Sequence, residues 1–238
     1  TEKQKKVSGV YVRKAAVFVG ANDGMMHAFD ADTGTELFAY IPRGVYSKLA
    51  EISKKTYSHQ YSVDGPMYSG DVYYDYDGDG DKEWRTVVAG SLGAGGRGVY
   101  ALDITNVLDS TSGAPIVLFD VSAGENSTLV PYKDDLGFAA GKVFVLPTQD
   151  GSWMALFGNG NNSVNGYSKL IAINIAAPST YKIIDTKAKI LSTTENGLGG
   201  LAVLPDGTGV VSYVYAGDID GNMWKFDLSS SSKSSWDS

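Results

Sequence analysis

The chain contains 238 residues, of which 43% are hydrophobic, and carries a formal net charge of −7 at pH 7. This length and hydrophobic content suffice for a buried core in one large domain or two small ones. The acidic balance argues against nucleic acid as a partner, because nucleic-acid surfaces concentrate lysine and arginine. No run of 18 apolar residues predicts a membrane span, and the absence of cysteine excludes disulfides and thiolate metal sites.

The first part of the chain combines a polar end, a hairpin pattern and one helical pattern. Residues 1–16 begin with the solvated basic stretch TEKQKK and are assigned to a lead-in strand. A strand, a turn and a second strand follow from residue 17. Residues 43–57 place Val45, Leu49 and Ile52 at helical spacing, which predicts one short amphipathic helix inserted among the strands.

Four segments of the chain resemble one another. They are VFVGANDGMMHAFDADTG, VVAGSLGAGGRGVYALDITN, ALFGNGNNSVNGYSKLIAIN and YVYAGDIDGNMWKFDLSS. In each segment a strand ends in glycine, a turn follows, and a second strand ends in Asp or Asn. These second strands end at Asp30, Asp103, Asn174 and Asp227. Together with 29 glycines and 15 tyrosines, the repeat predicts an all-β fold of many short strands joined by tight turns.

Further predicted strands fill the intervals between the repeats, so that one period holds about four strands, as in a blade of a β-propeller. Residues 61–74, 85–92, 97–105 and 114–122 form one complete blade, and residues 138–188 form another. With partial blades at both ends, residues 17–228 make a modified propeller of about three and a half four-stranded blades. Because propellers carry roughly four to eight blades, we expect the native protein to continue beyond one or both ends. The Ser-rich residues 229–238 are predicted to form a tail or loop.

The acidic stretch DYDGDGDKEW, residues 75–84, joins two predicted strands of the first complete blade. Calcium takes oxygen ligands from acids at alternate positions of a loop, and a glycine at position six allows the sharp bend. With Asp75 at position one, Gly80 falls at position six, and Thr86 at position twelve lacks the acid of the helical version of this loop. A nine-residue version over residues 75–83 fits better. Its predicted ligands are Asp75, Asp77, Asp79, Asp81 through its main-chain carbonyl, and Glu83.

An acidic surface turn is the alternative interpretation of this loop, because Asp and Gly are ordinary turn formers. The mutual repulsion of five carboxylates within nine residues argues against it. The lack of cysteine and of a nearby histidine disfavours zinc and copper, and magnesium prefers fewer protein ligands, so Ca2+ is the predicted cofactor. The stretch LPDGTGVVS, residues 204–212, follows the same frame but keeps only Asp206 as a carboxylate. We therefore predict one metal site and not two.

The sequence contains no recognisable catalytic motif. His27 lies on a predicted strand, where a hydrogen-bonded structural role is expected, and His59 follows the helical segment. No serine lies in a G-x-S-x-G turn. The stretch GSLGAGGRG lacks the ending of a phosphate-binding loop and connects two strands, so it is predicted to be a hairpin loop. We predict no catalytic residues and no enzyme activity.

Five stretches of the chain, taken in order, carry a family resemblance. They are VFVGANDGMMHAFDADTGTELFAYIP, YSHQYSVDGP, VVAGSLGAGGRGVYALDIT, FGNGNNS and YVYAGDIDGNMWKFDL. Together they resemble the C-terminal propeller domain of the PilC/PilY family, the tip-associated adhesins and biogenesis factors of bacterial type IV pili. The resemblance runs from Val17 to Leu228, and the ordered set is far more specific than any single stretch.

The resemblance implies a domain of a large secreted protein at the cell surface or pilus tip, associated with the outer membrane of a Gram-negative bacterium. It implies roles in pilus assembly, in control of extension versus retraction and hence twitching motility, and in adhesion. The implied partners are pilus subunits and, through an N-terminal region absent from this chain, host-cell or abiotic surfaces. In the family a calcium loop of this domain governs extension and retraction, and it matches residues 75–83 here. Glu83 departs from the Asp that is common at the closing position.

Two other functions remain open at this point. The stretch AFDADTG resembles the blade motif of quinoprotein dehydrogenases, but those enzymes end the motif in Trp, where this chain has Phe38. They also need a complete ring with a quinone pocket. A metal-free scaffold propeller, of the kind used in outer-membrane assembly, is the second alternative.

Overall fold

The computed structural model describes residues 6–7, 10–11, 13–109, 113–123, 132–138, 140–188 and 196–238. The strands in these residues are β1 (Lys6–Val7), β2 (Val10–Tyr11), β3 (Ala16–Gly20), β4 (Met26–Asp30), β5 (Glu36–Tyr40), β6 (Met67–Tyr74), β7 (Glu83–Ser91), β8 (Gly98–Asp103), β9 (Ile116–Ser122), β10 (Phe144–Pro147), β11 (Trp153–Gly158), β12 (Lys169–Asn174), β13 (Tyr181–Asp185), β14 (Leu198–Pro205), β15 (Val211–Asp218) and β16 (Met223–Asp227). Two short α-helices accompany them, α1 (Leu49–Ile52) and α2 (Thr105–Asp109). The all-β prediction is confirmed.

The strands form four antiparallel meanders in chain order, besides the small β1–β2 pair. The first sheet is β3–β4–β5, the second β6–β7–β8–β9, the third β10–β11–β12–β13 and the fourth β14–β15–β16. The four repeats of the sequence coincide with the hairpins β3–β4, β7–β8, β11–β12 and β15–β16. Two four-stranded and two three-stranded sheets agree with the predicted three and a half blades.

Apolar side chains pack between consecutive sheets in three clusters. The first core contains Met26, Val88 and Tyr100, between the first and second sheets. A second core lies between the second and third sheets, and a third between the third and fourth sheets. Strands of the middle sheets are therefore covered on both faces, and every residue of β8 is buried. Burial of apolar area, at about 25 cal/mol per Å², is the main attraction that holds the sheets together.

The inserted helical segment is shorter than its predicted bounds. Residues 43–48 form a 3-10 turn that continues into α1, and the helix ends at Ile52 rather than at residue 57. Val45 is fully buried in the first core. Residues 53–57 read SKKTY: Thr56, the next position of the apolar stripe, is polar, and Tyr57 is exposed, which is why the helix stops at Ile52.

Predicted strand 61–74 also begins later than expected, at Met67. The preceding residues pack instead against the glycine-rich loop between β7 and β8, where Asp64 N donates to the Leu92 carbonyl at 3.3 Å. That loop is a hairpin connection, as predicted, with a 3-10 turn at residues 93–95.

The Ser-rich end of the chain contains no strand but is packed on the protein. Trp236 is 3% exposed in the third core, and its Nε1 donates to the Ser230 carbonyl at 2.8 Å. Lys233 Nζ lies 2.8 Å from Asp150 Oδ2, which ties this segment to the β10–β11 hairpin. The Ser-rich composition did not predict this anchoring, because it depends on the large apolar area that the single Trp side chain buries.

Candidate metal centre

The acidic loop lies at the tip of the hairpin that joins β6 to β7. The two strands pair without interruption from Met67 with Gly90 to Tyr74 with Glu83, so residues 75–82 form the connection. This is the strand-to-strand position predicted for the loop. Glu83 is already the first residue of β7.

Three of the five predicted ligands converge at this tip. Asp75, Asp77 and Asp79 each offer one carboxylate oxygen, and these oxygens lie within 4.8 Å of one another. Asp75 is half-buried, whereas Asp77 and Asp79 are exposed. At such a separation each pair of negative charges repels by about 1 kcal/mol even in water, so a cation placed among them would relieve the repulsion.

The backbone of the loop folds around Asp75. Its Oδ1 accepts a hydrogen bond from Gly78 N at 2.7 Å, and its Oδ2 accepts one from Gly80 N at 3.0 Å. Gly78 and Gly80 have φ angles of 79° and 96°, in the left-handed region that favours glycine. Gly80 makes the bend predicted at position six of the calcium loop. Gly78 makes a second bend, which was not predicted from the sequence.

The other two predicted ligands lie outside the carboxylate cluster. Asp81 is exposed, and its backbone N–H donates to Asp79 Oδ1 at 2.9 Å. Its predicted role is that of a main-chain carbonyl ligand, so its side chain is not needed in the cluster. The Glu83 carboxylate pairs with Arg85 instead, and its Oε1 accepts a hydrogen bond from Arg85 Nη1 at 3.1 Å.

A buried ion pair lies below the loop. The side chains of Arg85 and Asp103 are 1% and 0% exposed, and Arg85 Nε donates to Asp103 Oδ2 at 2.7 Å. The Tyr74 hydroxyl donates to the same oxygen at 2.8 Å. Burial, reinforced by the Asp103 carboxylate, raises the pKa of Tyr74, so the hydroxyl stays protonated and remains a donor. Arg85 was not predicted as part of the site, because its only signal in the sequence is a charge at an inward-facing position of β7.

The donor set fits calcium. Each carboxylate oxygen has two lone pairs, so an oxygen that accepts one backbone N–H can still bind a cation. The cluster contains oxygen donors alone, which is the preference of a hard cation such as Ca2+. Asp75, Asp77 and Asp79 supply the side-chain oxygens, with the Asp81 carbonyl and Glu83 as the further predicted donors.

The loop at residues 204–212 is organised by hydrogen bonds around its one carboxylate. Asp206 accepts from Thr208 Oγ1 at 2.6 Å, from Thr208 N at 2.8 Å and from Gln149 Nε2 at 2.8 Å. These donors, with Thr208 first, lower the pKa of Asp206 to about 2. With a single carboxylate it is an ordinary Asx turn, and the restriction to one metal site stays a prediction.

The histidine of the first repeat is held by two carboxylates. His27 Nδ1 lies 2.7 Å from Glu36 Oε1, and Nε2 lies 2.9 Å from Asp23 Oδ2. Both ring nitrogens are engaged, which agrees with the structural role expected for this residue. His59 packs edge-on against Tyr57 and Tyr61 in an exposed segment.

Comparison with known proteins shows which family the chain resembles. The PilY1 beta-propeller domain family matches residues 4–238. A type IV pilus biogenesis factor PilY1 homologue of Xylella fastidiosa is 43% identical over 228 residues, covering 92% of this chain and 14% of that protein. Type IV pilus biogenesis factor PilY1 of Pseudomonas aeruginosa is 34% identical over 220 residues, covering 91% of this chain and 17% of that protein.

A solved structure shows the same fold. The crystal structure of the Pseudomonas aeruginosa PilY1 C-terminal domain matches with a TM-score of 0.73 and 32% identity, covering 95% of this chain and 44% of that domain. The predicted β-propeller architecture is therefore confirmed. The chain spans less than half of the crystallised domain and less than a fifth of either relative.

Proposed function

The chain belongs to the PilY1 β-propeller family, and from that premise we propose that it is the calcium-binding propeller domain of a type IV pilus biogenesis factor. The observation that supports calcium binding is the convergence of Asp75, Asp77 and Asp79 at the tip of one hairpin. The pilus role is supported by relatives that are named as biogenesis factors and not as enzymes. We accordingly propose a binding domain without catalytic activity.

Within this proposal, bound calcium supplies the positive charge that holds the acidic loop in one conformation. Asp75, Asp77 and Asp79 contribute carboxylate oxygens, Asp81 contributes its main-chain carbonyl, and Glu83 closes the set. Gly78 and Gly80 supply the backbone bends that turn these groups toward one point. The ordered hairpin tip then presents a defined surface beside the exposed aromatic rings of Tyr73 and Trp84. Extracellular calcium modules bind at roughly 0.1 to 1 mM, and we expect an affinity of this order.

Family membership supports a proposal for the partners and the location of the domain. The domain contacts pilus subunits and takes part in the control of extension versus retraction, and hence in twitching motility. Adhesion and virulence belong to the longer protein, which would reach host-cell or abiotic surfaces through regions outside this chain. The protein is secreted and resides at the cell surface or pilus tip. Among the described residues, the helices are far too short to span a bilayer.

Calorimetric titration with calcium tests the proposal. The wild-type chain should bind one equivalent, and the double variant Asp77→Ala with Asp79→Ala should bind none. A variant with Asp32→Ala and Asp220→Ala removes the same charge from two exposed hairpin turns and should bind as the wild type does. At a calcium concentration tenfold above Kd, the ion should stabilise the wild-type fold by about 1.4 kcal/mol.

A second measurement separates calcium binding from the pilus role. Bacteria that carry Asp77→Ala with Asp79→Ala in the full-length protein should show altered piliation and twitching zones, whereas the Asp32→Ala, Asp220→Ala strain should not. Failure of the wild-type chain to bind calcium would favour the metal-free scaffold. Dye reduction by the chain with quinone, calcium and an alcohol would favour the dehydrogenase instead.

A further inference from the structure

We propose that Arg85 withholds Glu83 from the acidic loop, so that Glu83 must leave Arg85 before it joins Asp75, Asp77 and Asp79 around calcium. Arg85 is then a positioning residue that sets the calcium affinity of the loop through competition for one ligand. The inference rests on the calcium-binding function proposed above and specifies how the site is regulated.

In the structure, Glu83 is bound to Arg85 and lies apart from the carboxylates of the loop. Its carboxylate pairs with Arg85 Nη1 at 3.1 Å, and it does not belong to the group of three carboxylates at the loop tip. The Glu83 side chain is 20% exposed. It stands at the very start of β7, directly after the loop, where a rotation of its long side chain changes its partner without breaking a strand pairing.

Arg85 cannot follow Glu83 toward the loop. Its side chain is fixed by the buried Asp103 at 2.7 Å, by Asn106 Oδ1 at 3.4 Å from Nη2, and by the Tyr76 ring, whose centroid lies 3.9 Å from Cζ. Guanidinium groups stay charged at any physiological pH, so the attraction for Glu83 persists under all conditions in which calcium binds. The exchange therefore consists of a movement of Glu83 alone.

The same contacts keep the free-energy cost of moving Glu83 away from Arg85 low. When Glu83 departs, Arg85 retains Asp103 as its counter-ion, so no buried charge is left without a partner. The apparent affinity for calcium is the intrinsic affinity multiplied by the fraction of chains in which Glu83 is free of Arg85. A partly exposed ion pair corresponds to a reduction in affinity of about fivefold.

Substitution of Arg85 by lysine tests this competition. Lysine keeps a cation beside Asp103 but lacks the second nitrogen that reaches Glu83 and the plane that lies over Tyr76. Calorimetry should therefore show that Arg85→Lys binds calcium about fivefold more tightly than the wild type. Glu83→Gln should weaken binding more in the Arg85→Lys background than in the wild type, because Glu83 is then fully available to calcium.

Arg13→Lys is the matched control. Arg13 pairs with Asp71 at 3.0 Å and donates to the Trp84 carbonyl at 2.8 Å, on the opposite face of the same hairpin from Arg85. Its replacement should leave the calcium affinity unchanged. Equal or weaker binding by Arg85→Lys would overturn the proposal.

A measurement on the wild type makes the test independent of the folding of any variant. The Arg85 guanidinium N–H signals in a 15N-edited NMR spectrum should shift as calcium saturates the loop, because Nη1 loses its acceptor. If calorimetry shows binding while these signals stay in place, the competition is excluded and the calcium function stands. If no calcium binds to the wild type, both proposals fail together.

Discussion

Gly95 and Ser62 approach each other so closely that a Cβ atom on Gly95 would lie 1.7 Å from the Ser62 carbonyl oxygen. Gly95 belongs to the glycine-rich loop between β7 and β8, and Ser62 belongs to the stretch that precedes β6. Neighbouring contacts are similarly close, since a Cβ on Gly93 would lie 2.7 Å from Gly65 N. Two stretches that stand out separately in the sequence are thus halves of one backbone contact.

Gly95→Ala should therefore destabilise the fold by about 3 kcal/mol or more, because backbone and not a flexible side chain must move. Urea denaturation followed by circular dichroism measures this loss. Gly200→Ala is the control, since a Cβ at Gly200 meets nothing within 4 Å and its φ is not left-handed. Near-equal free energies of unfolding of the two variants would show that the close backbone approach does not affect stability.

Asp103→Ala should cost about 3–5 kcal/mol, because it leaves the buried Arg85 guanidinium without its main counter-ion. The Tyr74 hydroxyl also loses its acceptor. Denaturation of Asp103→Ala is best compared with that of Glu51→Ala, which removes the exposed partner of Lys54 and should change stability by about 0.5 kcal/mol or less. Comparable losses in both variants would contradict the burial of the Arg85–Asp103 pair.

The pH dependence of stability should carry a contribution from His27. Its hydrogen bond to Glu36, and then that to Asp23, raise the pKa of His27 above the ordinary 6.5, against the opposing effect of burial. Protonated His27 is therefore favoured in the folded state. Its stabilisation is fully present below pH 6.5 and is lost as the pH rises through the raised folded-state pKa.

The free energy of unfolding should accordingly fall more between pH 6 and pH 9 in the wild type than in His27→Gln, by about 1 kcal/mol or less. Urea titrations at several pH values measure the difference. Parallel curves for the wild type and His27→Gln would refute the contribution.

Gly80→Ala should weaken calcium binding by about fivefold, since alanine disfavours the φ of 96° by about 1 kcal/mol. The cause would be backbone conformation alone, because a Cβ at this position meets nothing within 4 Å. Gly207→Ala, in the loop around Asp206, has neither a steric neighbour nor a left-handed φ and should bind calcium normally. An unchanged affinity for Gly80→Ala would mean that the loop binds calcium in another conformation.

The sequence predicted those features that depend on residues close together along the chain. Alternating apolar residues and glycine turns located the four repeated hairpins, because side-chain alternation and turn chemistry act within about ten residues. The spacing of Asp75, Asp77 and Asp79 placed three carboxylates together for the same reason, since alternate residues of one tight loop face a common point.

Contacts between distant residues were decided by the tertiary structure alone. Arg85 lies only two residues after Glu83, but its guanidinium is held in place by Asp103, 18 residues away on the adjoining strand, and that long-range contact fixes Arg85 beside Glu83. Trp236 is buried at the end of a Ser-rich stretch because the fold brings it against the apolar core between the third and fourth sheets. Local patterning specifies which face of a strand is apolar, whereas the partner of a charge or an aromatic ring depends on which strands the fold brings side by side.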